Sequence, residues 1–172
     1  TTGAATTAVS TTGTTWASGG SLPNTNNWSS IAYGKGTWVA VASTSTAVGA
    51  YSTDNGATWT ASTLPSTGQW THVEFGDNMF IAVRTGSTAY AYSVDGITWT
   101  AGTLPGSVTN PHVAYGQGVF IVNSDNSTTA YTSQGGIVWT TRTLSTGANP
   151  ISVKHGNPNS VGQFVSIASG TS

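Results

Sequence analysis

Three histidines, five carboxylates and four bases are the charged or pH-active groups, tyrosines aside, that this sequence offers to chemistry. His72 and His112 each precede a Val and lie about 40 residues apart, while His155 falls a few places later in the same register. Two imidazoles at equivalent places in neighbouring repeats can share an ion or a ligand if both line one channel. The plainer reading is two polar residues at strand starts. No metal and no cofactor is assigned.

The carboxylates are Asp54, Glu74, Asp77, Asp95 and Asp125. Hydrolysis of a glycosidic bond needs two carboxyl groups facing each other across it. Asp54 and Asp95 belong to turns, and Asp77 and Asp125 to loops. Glu74 and Arg84 interrupt apolar alternation in one repeat and are expected to pair across adjacent strands. No nucleophile elbow, phosphate-cradling loop or nucleotide fingerprint is present. The expectation is a chain that is not an enzyme.

Trp28 and Trp70 stand three residues before Ile31 and Val73, in segments read as loops. Exposed loop aromatics beside Asn and Thr suit sugar rings, which stack on aromatic faces. The alternative is that both cap the core between repeats. Trp28, Trp70, His72 and His112 are thus the candidate ligand residues.

Charged residues make up 5% of the chain and the net charge is −1, where a soluble domain averages about 25% charged. Lys35, Arg84, Arg142 and Lys154 cannot neutralise a run of phosphates, so nucleic-acid binding is not expected. No polybasic surface or long apolar run suggests membrane insertion. Without cysteine there are no disulfides or thiolate sites. The chain begins Thr1-Thr2-Gly3, which suggests a processed product or a piece of a longer one. Asn27-Trp28-Ser29 and Asn126-Ser127-Thr128 are glycosylation sequons of a kind that a Thr/Ser/Asn-rich chain produces by chance.

The elements that position these groups come from a repeat. Trp16, Trp59, Trp99 and Trp139 recur about every 40 residues, as do Leu22, Leu64, Leu104 and Leu144, and Gly34, Gly76, Gly116 and Gly156. Abundant Thr, Gly and Asn favour strands and turns. Each copy reads as four short strands. Strand one covers 30–33, 72–75, 112–115 and 152–155. Strand two covers 38–41, 80–83, 120–123 and 164–167. Strand three leads into 50–52, 91–93 and 130–132, and strand four carries the Trp at 58–60 and 98–100.

Residues 8–16 match strands three and four, and 151–168 match strands one and two. The expected fold is all-β: a single four-bladed β-propeller domain over 1–172. Its blades lie near 28–65, 70–105 and 111–144, and the fourth is made from 151–172 plus 1–23. Closing the ring this way leaves only short, protected edges. A solenoid is the other arrangement open to such a repeat. The half-blades could also pair between chains, giving a chain of blades or a larger ring.

Ser52-Thr53-Asp54-Asn55-Gly56-Ala57-Thr58-Trp59 resembles the Asp-box, the bacterial neuraminidase repeat. Ser93-Val94-Asp95-Gly96-Ile97-Thr98-Trp99 is similar with one residue deleted. The versions at 132–139 and 10–16 lack the Asp. The resemblance implies a structural role for Ser52, Asp54, Gly56 and Trp59, and for Ser93, Asp95, Gly96 and Trp99. The Asp would cap turn amides and the Trp would pack between blades. A sialidase holds its substrate with three Arg and a Tyr–Glu pair, whereas this chain has Arg84 and Arg142 and one Glu. The wider phrase, with Ile-Ala-Tyr-Gly before Trp-Val-Ala-Val and Ala-Tyr-Ser before the turn, is similar to repeats in phage tail and fibre proteins and in secreted bacterial proteins. That resemblance implies an extracellular or virion-surface module that recognises a cell-surface glycan on a host. The competing expectation is a structural decoration or assembly domain contacting other subunits of a virion or filament.

Overall fold

The computed structural model describes residues 5–145, 150–156 and 162–168. Two strands come first, β1 (Thr6–Val9) and β2 (Ala17–Ser21), paired as an antiparallel hairpin. Three four-stranded antiparallel sheets follow. Blade one is β3 (Trp28–Gly34), β4 (Thr37–Ala42), β5 (Thr46–Ser52) and β6 (Thr60–Gly68). Blade two is β7 (Trp70–Gly76), β8 (Met79–Arg84), β9 (Ser87–Ser93) and β10 (Thr100–Val108). Blade three is β11 (His112–Gly116), β12 (Val119–Asn123), β13 (Thr129–Ser133) and β14 (Thr140–Thr143). A second hairpin, β15 (Pro150–Gly156) and β16 (Gln163–Ala168), ends the described chain. The architecture is all-β and propeller-like.

Local chemistry explains the strands. The β3–β4, β7–β8 and β11–β12 hairpins turn on Lys35-Gly36, Asp77-Asn78 and Gln117-Gly118, all at positive φ. A two-residue turn with both residues left-handed matches the twist of the paired strands. The turns before strand four are tied by Ser and Asp. The Ser52 hydroxyl donates to Asp54 Oδ1 (2.8 Å) and accepts from the Gly56 amide (2.9 Å), while Asp54 accepts from the Thr58 amide (2.9 Å) and hydroxyl (2.6 Å). Ser93 and Asp95 repeat the pattern with the Gly96, Ile97 and Thr98 amides. Hydrogen bonds from Thr58 and Ser52 hold the Asp54 carboxyl down to about 2. Burial acts to raise Asp95, but the amides and Ser93 together leave it lowered. These bonds keep the chain in the turn through Thr58, so strand four starts after the Trp, with Tyr51 opposite Thr60, rather than on it.

The core lies between blades. Trp70, Val73 and Phe80 of blade two pack on Val39, Val41 and Leu64 of blade one, with Trp99 against them. Trp139, Val113 and Phe120 of blade three pack on Ile81, Val83 and Tyr90 of blade two. The periodic glycines have one physical reason. A Cβ on Gly34 would lie 2.2 Å from the Phe75 ring, one on Gly76 2.0 Å from Tyr115, and one on Gly116 2.0 Å from His155. The strand-one rings of blade two, blade three and β15 therefore lie on the preceding blade's backbone, and any side chain there would collide.

The fourth blade departs from the sequence expectation. Among the described residues β1–β2 and β15–β16 are separate two-stranded sheets and do not pair with each other. Residues 1–4, 157–161 and 169–172, which include the slack expected at the join, lie outside the described residues. Strand pairing within a hairpin is local, whereas joining these two ends depends on how far the stacked blades curve round.

Candidate functional site

Strand one of each blade faces the inside of the arc, and its first residues meet the last residues of strand two at one face. His72 opposes Val83 and His112 opposes Asn123. Hydroxyls tie the inner strands together there. Ser29 donates to the Trp70 carbonyl (2.7 Å) and Thr71 to the Pro111 carbonyl (3.1 Å), while Ser30 Oγ accepts from the Val73 amide (3.1 Å).

His72 and His112 are brought together. Their rings are tilted at 50° with centroids 5.1 Å apart. Burial, then the neighbouring His112 and Lys154, pushes the His72 imidazole down to about 4. Burial also lowers His112, with Asp125 pulling it up and Lys154 pressing it further down. Both rings are neutral near pH 7, so they offer one donor and one acceptor each. The His112 amide donates to Asn123 Oδ1 (3.2 Å), and Asn110 Nδ2 donates to Asp125 Oδ2 (3.2 Å). His72 Nδ1, Asn123 Nδ2 and Asp125 Oδ1 are buried without a partner. An unsatisfied buried polar atom costs about 1–3 kcal/mol. These three atoms belong to His72, which meets the His112 ring, and to Asn123 and Asp125 of the blade that carries His112. No group of three or more His, Cys, Asp or Glu able to hold a metal ion occurs among the described residues.

Sequence reasoning found the two histidines and missed Asn110, Asn123 and Asp125. One signal was available: Asn123 occupies a strand-two position where the first two blades carry Val41 and Val83. A polar residue in an apolar column is the trace of a site.

Other expected residues are placed differently. Trp70 is 0% exposed and belongs to the core between blades one and two. Its Nε1 donates to the Ser66 carbonyl (3.2 Å). It cannot stack on a ligand, because both ring faces are already covered by protein. Trp28 makes the same bond to the Asn24 carbonyl (3.3 Å) and is half-buried. Neither is in a loop: Trp28 pairs with Ala42 and Trp70 with Arg84 at the starts of β3 and β7. Glu74 does not pair with Arg84 either. Glu74 lies opposite Ile81, several rungs from Arg84. Lys154 Nζ of β15 lies 3.7 Å from Glu74 Oε2. Burial raises the Glu74 pKa, with the Phe75 amide and Lys154 opposing it. Arg84 Nη1 donates instead to Ser66 Oγ (3.1 Å) and to the Thr67 carbonyl.

Solved structures similar to this fold include the streptogramin B lyase structure, at 13% identity and a TM-score of 0.77, covering 99% of this chain and 64% of that one. Selenomethionine-substituted virginiamycin B lyase from Staphylococcus aureus gives 13% identity and 0.73, over 86% of this chain and 52% of that one. YCF48 bound to D1 peptide gives 15% identity and 0.66, over 91% and 51%. The chain thus spans about half to two thirds of the length of these propellers. Comparison with curated proteins gives no match.

The expectation that the chain is not an enzyme is corrected by the first two of these. Propellers of this shape include lyases, so missing sialidase residues remove one chemistry and not catalysis as such. At such identity the likeness carries the fold and no catalytic residue. The family model of the DUF6242 beta propeller domain matches residues 14–171, and the chain belongs to that family.

Proposed function

We propose that this propeller is a recognition module. Its ligand, a neutral polyhydroxylated compound such as a surface glycan, sits over the mouth formed by His72, His112, Asn110, Asn123 and Asp125. The observation that carries this reading is the His72–His112 ring pair, with unpartnered buried polar atoms on His72, Asn123 and Asp125. Two neutral imidazoles, an amide and a carboxylate edge supply both donors and acceptors, as sugar hydroxyls require. The Lys154 charge nearby is engaged with Glu74. The setting we propose is extracellular or virion-surface, as in a tail fibre or similar appendage that contacts a host. The repeat phrase and the low charge support it. The Ser-x-Asp turns are read as Asp-boxes with a purely structural role, β15–β16 as an inner half-blade and β1–β2 as an outer one.

A glycan array probed with the purified chain tests the site. Reproducible binding that is lost in His112→Ala and in Asn123→Ala, with circular dichroism unchanged, is the expected result. Binding that survives both substitutions moves the ligand elsewhere, and a blank array removes the glycan reading.

A further inference from the structure

The two ends of the arc are the halves of one unmade joint. Between blades one and two, and between two and three, the same columns meet. Val39 and Val41 of one strand two, and Ile81 and Val83 of the next, are fully buried by the following blade. Val73 and Val113 of strand one are buried by the preceding blade. At the ends the same columns are bare. Val165 and Ile167 on β16 are each 59% exposed, and Ile31 and Tyr33 on β3 are 52% and 50% exposed. The glycine column agrees. Phe75, Tyr115 and His155 cover Gly34, Gly76 and Gly116, while Gly156 meets nothing within 4 Å among the described residues, and Tyr33 is the ring without a glycine.

The N-terminal hairpin already holds half of the missing blade in place. The Gly20 amide donates to the Gly56 carbonyl (2.7 Å), and Val9 packs 3.2 Å from the position of a Cβ on Gly56. Tyr90 of blade two makes the corresponding contact, donating to the Gly136 carbonyl of blade three (3.0 Å). So β1–β2 stands against blade one as an outer half-blade would. Between it and blade one lies a cleft of about 770 Å3 lined by Val9, Trp16, Ile31, Trp38 and Trp59. Its place in the repeat is that of an inner half-blade, strands one and two.

We propose that the occupant of this cleft is the β15–β16 hairpin of a second copy of this chain. The two copies close head to tail into one ring. Each joint then reproduces the ring-over-glycine contact that the chain makes three times within itself, with Tyr33 of one copy over Gly156 of its partner. Three whole blades and one composite blade from each copy give a ring of about eight, the upper end of the usual propeller range. The curvature is that of an open arc, since the chain overlays between about half and two thirds of longer propellers. A head-to-tail contact that closes after two copies leaves no free apolar edge. The joint does not depend on the ligand reading of the mouth.

The chain contains no cysteine, which allows a clean test. Light scattering of the purified chain is expected to give twice the mass of one chain. Oxidised Tyr33→Cys/Gly156→Cys protein is expected to run as a covalent dimer, and Ile31→Glu is expected to give a folded monomer with its β-sheet circular dichroism intact. A parent chain with the mass of one copy overturns the proposal, as does a series of larger masses. A cross-link formed within one chain overturns it too, because it shows the ring closing on itself.

Discussion

The joint between blades two and three and the two ends of the arc are built from the same sequence columns, yet one is sealed and the other is open. In the joint, Val113, Phe120 and Trp139 meet Ile81, Val83 and Tyr90, and none of the six is more than 9% exposed. At the ends, Ile31, Tyr33, Val165 and Ile167 carry the same pattern and face solvent. Trp16, from the column of Trp139, is 66% exposed. A repeat therefore specifies half an interface on each side, and burial follows only where a neighbour supplies the other half.

Trp70 and Trp28 offer the sharpest contrast, being one residue type at one repeat position. Trp70→Ala is expected to cost about 3–5 kcal/mol, the usual range for emptying a core site of an aromatic. Trp28→Ala is expected to cost less than half of that on the isolated chain. Urea unfolding of both variants checks this, and equal losses would mean that the open end is as well packed as the joint.

His72 tests the joint from its polar side. Its folded pKa lies near 4 against 6.5 for a free imidazole. The unfolded chain therefore binds a proton in a window where the folded chain does not. This contribution is full above about pH 6.5 and lost as pH falls towards 4, a change of roughly 2–3 kcal/mol. Urea midpoints measured across that window should fall with pH, and His72→Asn should flatten the fall. A parent profile with no slope there would place the imidazole in contact with water.

The glycines come next. Gly76→Ala forces a Cβ into the Tyr115 ring and is expected to cost about 1–3 kcal/mol. Gly156→Ala should leave the unfolding of the separated chain unchanged and weaken only its association with a second copy. Thermal unfolding of the two variants at low concentration separates these outcomes.

The smallest effect belongs to the turns. Asp54 is held near 2, below its ordinary 3.8, so its stabilisation is present above about pH 4 and lost as pH drops towards 2. Asp54→Asn should lower stability near neutral pH by an amount that shrinks over that range. The turn at the open end uses hydroxyls instead, with Ser10 Oγ accepting from the Gly13 amide (2.8 Å) and Thr12 paired with Thr14 (2.8 Å). Thr12→Ala should show no such acid dependence.

What the sequence determined by itself is the repeat and everything local to it. Strand one and strand two of every copy lie where alternation places them, and two-residue turns such as Asp77-Asn78 follow from backbone sterics alone. The Gly34, Gly76 and Gly116 column was legible as a spacing, although its cause, a ring from the next blade lying on the backbone, was not. Part of the site was legible too: equivalent positions put His72 and His112 in neighbouring blades, and their rings meet. The tertiary structure decided the rest. It chose Lys154 over Arg84 as the partner of Glu74 and turned Trp70 inward. It also left the two half-blades apart. Each of these depends on which blade stands beside which and on how sharply the stack curves. Those are long-range contacts, and no window of sequence one repeat long contains both partners.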